Sequence, residues 1–347
     1  MTQARDLADL AGAATAGGLT GANALINGQF AVAQRGTLFV STANNDTDYT
    51  LDRWKLFSDG NDIVDVSQET STVPTNRQTA IALDVETANK KFGIAQIIEQ
   101  KNCVNLIGET VTLSFQAKVS ATTNLDNVKA AIIAWDGTAD APTDDMISAW
   151  GVEGTNPTLA SNFTYENTPA NLNLTTSYAT YSVTASVDTA SAKNIIVFIF
   201  SDVTTTSAGE FLYITDVKLE AGQTATPFEH EDVSTTLAKC QRYYAEATQA
   251  FGPASGSTGI SVMVSFPKEM ISSPAFGFTG PLEVGDGYLA DFAQSSGSIA
   301  VIASRATDGH PAQFCTLANF SGLTTGRIYI HPRRLNNTHK ITLDAEL

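Results

Sequence analysis

Charged side chains make up only 16% of this 347-residue chain, well short of the ~25% of an average soluble protein. Long solvent-facing helices draw on Glu and Lys, so the shortage argues against a helical architecture. Cations are the scarcer sign: 20 Lys and Arg stand against 36 Asp and Glu, a formal net charge of −16. A surface of that sign repels phosphate backbones and anionic leaflets, which excludes nucleic acid as an expected partner. No run approaches the ~20 apolar residues that cross a bilayer, so no membrane insertion is expected. Asp6 and Asp9 interrupt the stretch where a signal peptide would be apolar, and synthesis in a cytoplasm without export is the expectation.

Cysteine and histidine are nearly absent. Cys103, Cys240 and Cys315 are odd in number and far apart. They offer neither a disulfide framework nor a paired metal knuckle, and are read as reduced, mostly buried thiols. His230, His310, His331 and His339 are scattered, with no HExxH spacing and no Gly-x-Ser-x-Gly elbow, so zinc hydrolysis and triad chemistry have no motif. The Gly-rich turns near Gly256 and Gly285 lack the Lys and following helix of a phosphate loop and read as hairpin turns.

Thr, Ser, Asn and Gln fill the chain instead, on a 43% apolar background, a composition suited to pleated surfaces. Ile81, Leu83 and Val85 alternate with polar residues, as do Val111 to Val119, Val183 to Val187, and Phe211, Tyr213, Thr215, Val217 and Leu219. Period two predicts half-buried antiparallel strands. Ile195 to Phe200 is continuously apolar, which fits a strand covered on both faces or one facing a second chain. With turn formers such as Asn27-Gly28 and Asp136-Gly137 between them, these strands predict an all-β protein, with a jelly-roll β-sandwich over residues 23–231.

Residues 232–248 break the pattern. Val233, Leu237, Cys240 and Tyr244 recur at helical spacing, predicting a linking helix whose stripe meets a second copy or docks on its own sandwich. A second β domain is expected over 249–347, where Ile260, Val262, Val264 and Phe266 alternate and Ile341, Leu343 and Ala345 alternate. Residues 1–22 predict one short helix with Leu7, Leu10, Ala11 and Ala14 on a single face and Gly17-Gly18 at its end. A helix so short gains order only by packing against a partner; otherwise it is a frayed tail.

A sugar ring presents an apolar face and a rim of hydroxyls, so binding it needs an aromatic platform beside amides and carboxylates. Trp135 and Trp150 bracket a polar segment that runs with little periodicity to about Ser177, and Tyr165 lies within it beside Asn162. These four are candidate glycan-binding residues, a place in the core being the alternative for each Trp. Arg333 and Arg334, after His331-Pro332, suit anionic groups on a polysaccharide, or salt bridges to a neighbouring subunit. Asp144-Asp145 and the acids Glu229, Glu231 and Asp232 read first as solvated surface, and otherwise as a hydrolytic carboxylate pair.

Two signatures belong together: Asn23-Ala-Leu-Ile-Asn27-Gly28-Gln-Phe30 with Gln34-Arg35-Gly36 and Asp52-Arg53-Trp54, and Tyr213-Ile-Thr-Asp216-Val-Lys-Leu219-Glu220-Ala-Gly222. They resemble the first and last strands of the galactose-binding-like jelly rolls of carbohydrate-binding modules. Thr226-Pro227-Phe228-Glu229, Cys240-Gln241-Arg242-Tyr243-Tyr244, the start Ala4-Arg5-Asp6-Leu7-Ala8-Asp9 and the closing Asp344-Ala345-Glu346-Leu347 are similar to bacteriophage tail-fibre and receptor-binding virion proteins. The likeness covers the ends of the first domain, the helix and the chain termini.

The resemblance implies a non-enzymatic virion structural protein, a homotrimeric tail fibre or spike made in the host cytoplasm and carried on the virion as an external appendage, its jelly roll forming the body and its C-terminal β domain, residues 249–347, the host-contacting tip. Its partners would be further copies of itself, a host cell-surface glycan, and a virion tail or capsid protein docked through Leu7, Leu10, Ala11 and Ala14. Leu237 and Tyr244 would serve oligomerisation. A capsid head fibre or decoration protein, or a polysaccharide depolymerase tailspike, are the alternatives. No cofactor is expected beyond a structural calcium. Asp216 stands where related jelly rolls often place a calcium ligand, its other reading being a carboxylate that accepts local hydrogen bonds at a strand edge.

Overall fold

In a computed structural model of the chain, the described residues are 21–40, 44–247, 249–280, 282–286, 291–293, 312–331 and 339–347. The expected N-terminal helix with Leu7, Leu10, Ala11 and Ala14, and the pair Arg333 and Arg334, lie outside them. Strands account for 39% of the structure and helices for 4%, so the architecture is all-β, as the shortage of helix formers requires. The chain divides into two compact units, one ending at Val233 and joined by Leu347, the other running Ser234–Glu346.

The first unit runs β1 (Leu38–Phe39), β2 (Lys55–Ser58), β3 (Val64–Glu69), β4 (Ala80–Val85), β5 (Phe92–Ile98), the single turn α1 (Gln100–Cys103), β6 (Thr110–Val119) and β7 (Val128–Trp135). It continues through β8 (Ile147–Ala149), β9 (Thr158–Leu159), β10 (Phe163–Tyr165), β11 (Ala179–Ser186), β12 (Asn194–Ser201) and β13 (Phe211–Ala221). A front sheet has the order β1-β3-β4-β13-β6-β11 and a back sheet β10-β7-β12-β5-β2. Their facing residues form one core: Ile81, Leu83 and Val85 on β4 and Val111 to Val119 on β6 meet Ile195, Val197 and Ile199 on β12.

The apolar run Ile195 to Phe200 is the middle of the back sheet, paired with β5 and β7. Its odd residues enter the sandwich core. Its even ones, Ile196, Phe198 and Phe200, enter a second core on the other face, under Met146, Ile147, Trp150 and Phe163. The segment after Trp135 is therefore not an open loop. It carries β8, β9 and β10 and covers the back sheet, as a central strand greasy on both sides demands.

Trp54 is fully buried, and its indole N–H donates to the Asn27 carbonyl at 3.0 Å. The Asn27 turn lies against the last strand, where the Gly28 carbonyl accepts from the Val217 N–H at 2.9 Å. A Cβ on Gly28 would stand 2.1 Å from the Val217 oxygen, so only glycine fits this crossing.

The helix α2 (Val233–Cys240) begins at the boundary, and the second unit continues through β14 (Tyr244–Ala247), β15 (Ala250–Pro253), β16 (Ile260–Ser265), β17 (Ala275–Phe278), β18 (Glu283–Gly285), β19 (Asp291–Ala293), β20 (Ala312–Leu317), β21 (Ile328–His331) and β22 (Ile341–Asp344). Its sheets have the orders β14-β22-β17 and β19-β18-β21-β15-β16-β20.

The linking helix is shorter than the spacing suggests, and its stripe is different. It ends at Cys240, and Tyr244 is the first residue of β14, opposite Asp344. Val233 is 47% exposed, whereas Thr236 and Cys240, four apart, are the buried positions. Leu237 is half-buried. Tyr244 is buried and paired in a strand, so it contributes no helical contact to a second copy. Aromatic residues favour strands, and Tyr243-Tyr244 ends the helical stretch.

Candidate functional site

The last strand of the sandwich is where simple alternation fails. Phe211, Tyr213, Thr215, Val217 and Leu219 cannot share a face, because the register of β13 against β6 shifts between Thr215 and Lys218. Asp216 takes the extra place with φ of 53°, a left-handed backbone that Asp tolerates better than most residues. Before the bulge Leu212 and Ile214 point inward, and after it Val217, Leu219 and Ala221 do. Phe211 and Tyr213 are thereby turned to the outer surface of the front sheet.

There they stack, with ring centroids 5.4 Å apart and planes 9° from parallel. Tyr213 pairs with Ala82 on one side and Lys118 on the other. The Lys118 ammonium lies 5.4 Å from the Tyr213 centroid and 5.8 Å from that of Tyr178, within cation–π range. Tyr178 hydroxyl donates to the Thr72 carbonyl at 2.8 Å. Tyr213 is 9% exposed, while Phe211 and Tyr178 are half-buried, so these two flanking rings carry the patch's open surface. Burial raises both phenol pKa values above their usual range. Beyond Phe211, Asp84 faces Asp65 across the strand pair. Burial, then Glu86 and Asp65, push its carboxyl up to about 6, and its Oδ1 is buried without a hydrogen-bond partner.

Two residues further along β6, Gln116 and Ser114 border a pocket of about 220 Å³ shared with Arg77, Phe115, Thr180, Asp216 and the exit segment Thr226–Phe228. One wall is an ion pair: Arg77 Nε donates to both Asp216 oxygens, at 2.8 and 2.7 Å. Gln116 and Gln29 donate to the same carboxylate at 2.6 and 3.1 Å. The opposite wall is tied down by a buried pair: Lys218 donates to Thr226 Oγ1 at 2.5 Å, and Glu220 accepts from the Thr226 N–H at 2.7 Å.

Asp216 thus has guanidinium and amide donors on both oxygens, which answers its charge without a metal. Calcium requires several oxygen ligands, and among the described residues no group of three or more His, Cys, Asp or Glu could hold a metal ion. The residues around Asp216 do not fit calcium. The carboxylate accepts local hydrogen bonds, as in the alternative reading, but at a bulge of a strand paired on both sides and not at a strand edge.

The two tryptophans expected as a platform take their alternative place, in the core. Trp135 is 3% and Trp150 8% exposed. Trp135 packs on Phe163 at 4.6 Å and Trp150 lies 6.1 Å from Phe198, so both fill the second core and present no platform. Tyr165 is half-buried, with its hydroxyl donating to the Pro157 carbonyl at 2.9 Å. Asn162 is exposed in the turn before β10, with φ of 69°. The structure therefore does not gather these residues into a cleft. Of the acid clusters, Asp144 accepts from Lys55 at 2.6 Å. The sequence does not single out Phe211, Tyr213, Tyr178, Lys118, Gln116 and Arg77 as site residues. The signal for Phe211 and Tyr213 is a pair of aromatics two apart in one strand, concealed because the alternation hides the change of face.

No protein-family model matches the chain, and no curated protein matches it. Among solved structures, it is similar to the enzymatically active domain of tailspike protein 4 of bacteriophage CBA120, at 16% identity over 58% of this chain and a TM-score of 0.35. The match covers 21% of that domain's chain. It is also similar to the CBM22-1 xylan-binding domain of Paenibacillus barcinonensis Xyn10C, at 11% identity, 59% of this chain, 98% of that one and a TM-score of 0.33. The CBM22-1-GH10 modules of a Clostridium thermocellum xylanase match at 12% identity, 56% of this chain, 30% of that one and a TM-score of 0.32.

Proposed function

We propose that the chain is a non-enzymatic structural protein of a bacteriophage particle, a tail fibre or spike that attaches to host-surface glycan through the front face of its first sandwich. The observation that carries attachment is the patch of Phe211, Tyr213, Lys118 and Tyr178 set one row of the sheet from a polar pocket. Aromatic rings receive the apolar side of a pyranose, and the amide, hydroxyl and ion-paired groups receive its rim. The virion setting is supported by the likeness of Thr226-Pro227-Phe228-Glu229, Cys240-Gln241-Arg242-Tyr243-Tyr244, the start Ala4–Asp9 and the closing Asp344–Leu347 to tail-fibre proteins. A homotrimer docked to a tail or capsid protein through residues 1–22 completes this reading.

The test is retention of the full chain on immobilised host-surface polysaccharide. Phe211→Ala and Tyr178→Ala should each weaken binding about tenfold, the effect of ~1.4 kcal/mol, with unchanged melting. Equal binding by both variants overturns the site. Release of reducing sugar on incubation would replace the binder with a depolymerase, and a monomer in sedimentation would remove the trimer.

A further inference from the structure

The pocket differs in kind from the aromatic patch beside it. Its floor is β6, and its walls are Arg77 with Asp216, Thr180 on β11, and Thr226–Phe228. At about 220 Å³ it is smaller than the ~300–1,000 Å³ of sites for drug-sized ligands. Its polar lining includes Ser114 and Thr180, whose hydroxyls can both donate to and accept from a ligand's own polar groups. Gln116 donates its amide N–H to Asp216, which fixes the side chain and leaves its carbonyl oxygen as a second acceptor. The half-buried ring of Phe228 supplies an apolar wall.

From this geometry we infer that the pocket seats one terminal sugar residue, so that the protein recognises the end of a glycan chain and not its interior. The inference rests on the glycan-binding reading above and narrows it. A continuous chain lying across the face needs an open trough at both ends, whereas this pocket is walled by the ion pair and by the anchored exit segment. The aromatic patch begins about 7 Å away, two residues along the strands, and would carry the next unit of the chain. Ser114, Gln116 and Thr180 match the hydroxyl rim of the terminal ring, and Asp216 acts through Arg77 and Gln116 as a positioning residue.

The deciding measurement counts sites. Host-surface polysaccharide is bound to saturation by the full chain before and after mild fragmentation to about one tenth of its length. Recognition of ends predicts about ten times more protein bound per mass of glycan after fragmentation, with free monosaccharides competing. Thr180→Trp, at an exposed strand position, should obstruct the pocket and lower affinity about tenfold or more. If that variant fails to fold, the site count on the unaltered chain decides. Binding that scales with mass and not with ends, while Phe211→Ala and Tyr178→Ala still weaken it, overturns end recognition and leaves the glycan reading standing. If those two variants bind like the unaltered chain, the glycan reading fails and end recognition with it.

Discussion

Arg77 Nε reaches both oxygens of Asp216, at 2.8 and 2.7 Å, joining the β3–β4 connection to the single irregularity of the last strand. Asp216 is therefore both the residue that turns the aromatic pair outward and the anchor of the pocket wall. Asp216→Ala should destabilise the first unit by roughly 3–5 kcal/mol, because it strands a partly buried guanidinium and two amides. Asp216→Asn keeps a residue tolerant of positive φ and should cost less, about 1–3 kcal/mol. Urea titration of the two variants checks the order.

A second buried charge group holds the covering segment. Asp202 pairs with Lys91 and with Lys129. Lys91 also donates to the Val152 carbonyl at 3.0 Å, and Gly154 N–H donates to Asp202 at 2.9 Å. Asp202→Ala would leave two buried ammonium groups unpaired, with a loss of roughly 3–5 kcal/mol. Hydrogen exchange should show it first at residues 150–156.

Trp150→Ala should lower stability by roughly 3–5 kcal/mol, as expected when a ring leaves a packed core. Glycan binding at the front face should persist at temperatures where the variant remains folded. A specific loss of binding with unchanged melting would restore Trp150 to a surface role.

Asp84 gives a pH signature. Its folded carboxyl titrates at about 6, above its ordinary 3.8, because burial and then Glu86 and Asp65 disfavour the charge. A raised acid pKa means that ionisation opposes folding. The penalty is fully present above pH 6 and disappears as pH falls through 6 toward 3.8. Asp84→Asn should therefore melt higher than the unaltered chain at pH 8, with the gain vanishing near pH 4. Equal differences at both pH values would contradict this assignment.

Period two made β4 and β6 legible, and the continuous run of β12 marked a strand with two apolar faces, whose cover proved to be the chain itself and not a second copy. The face-change in β13 was not legible: Phe211-Tyr213-Thr215-Val217-Leu219 alternates perfectly on paper, and only the two-against-one pairing at Asp216 splits it. The tryptophans misled for a related reason. A polar segment with few strand signals gives no sign that it packs, and the need for a cover lay in another strand, in Ile196, Phe198 and Phe200. The end of α2 was equally hidden, since Tyr244 continues the helical spacing while pairing as a strand.

The covering of the back sheet makes the first sandwich a one-sided object. Of its two broad faces, one is upholstered by the chain's own 136–170 segment and the other carries the aromatic patch and the pocket. Anything that packs against the covered face leaves the patch and the pocket open, whereas anything that packs against the front face closes both.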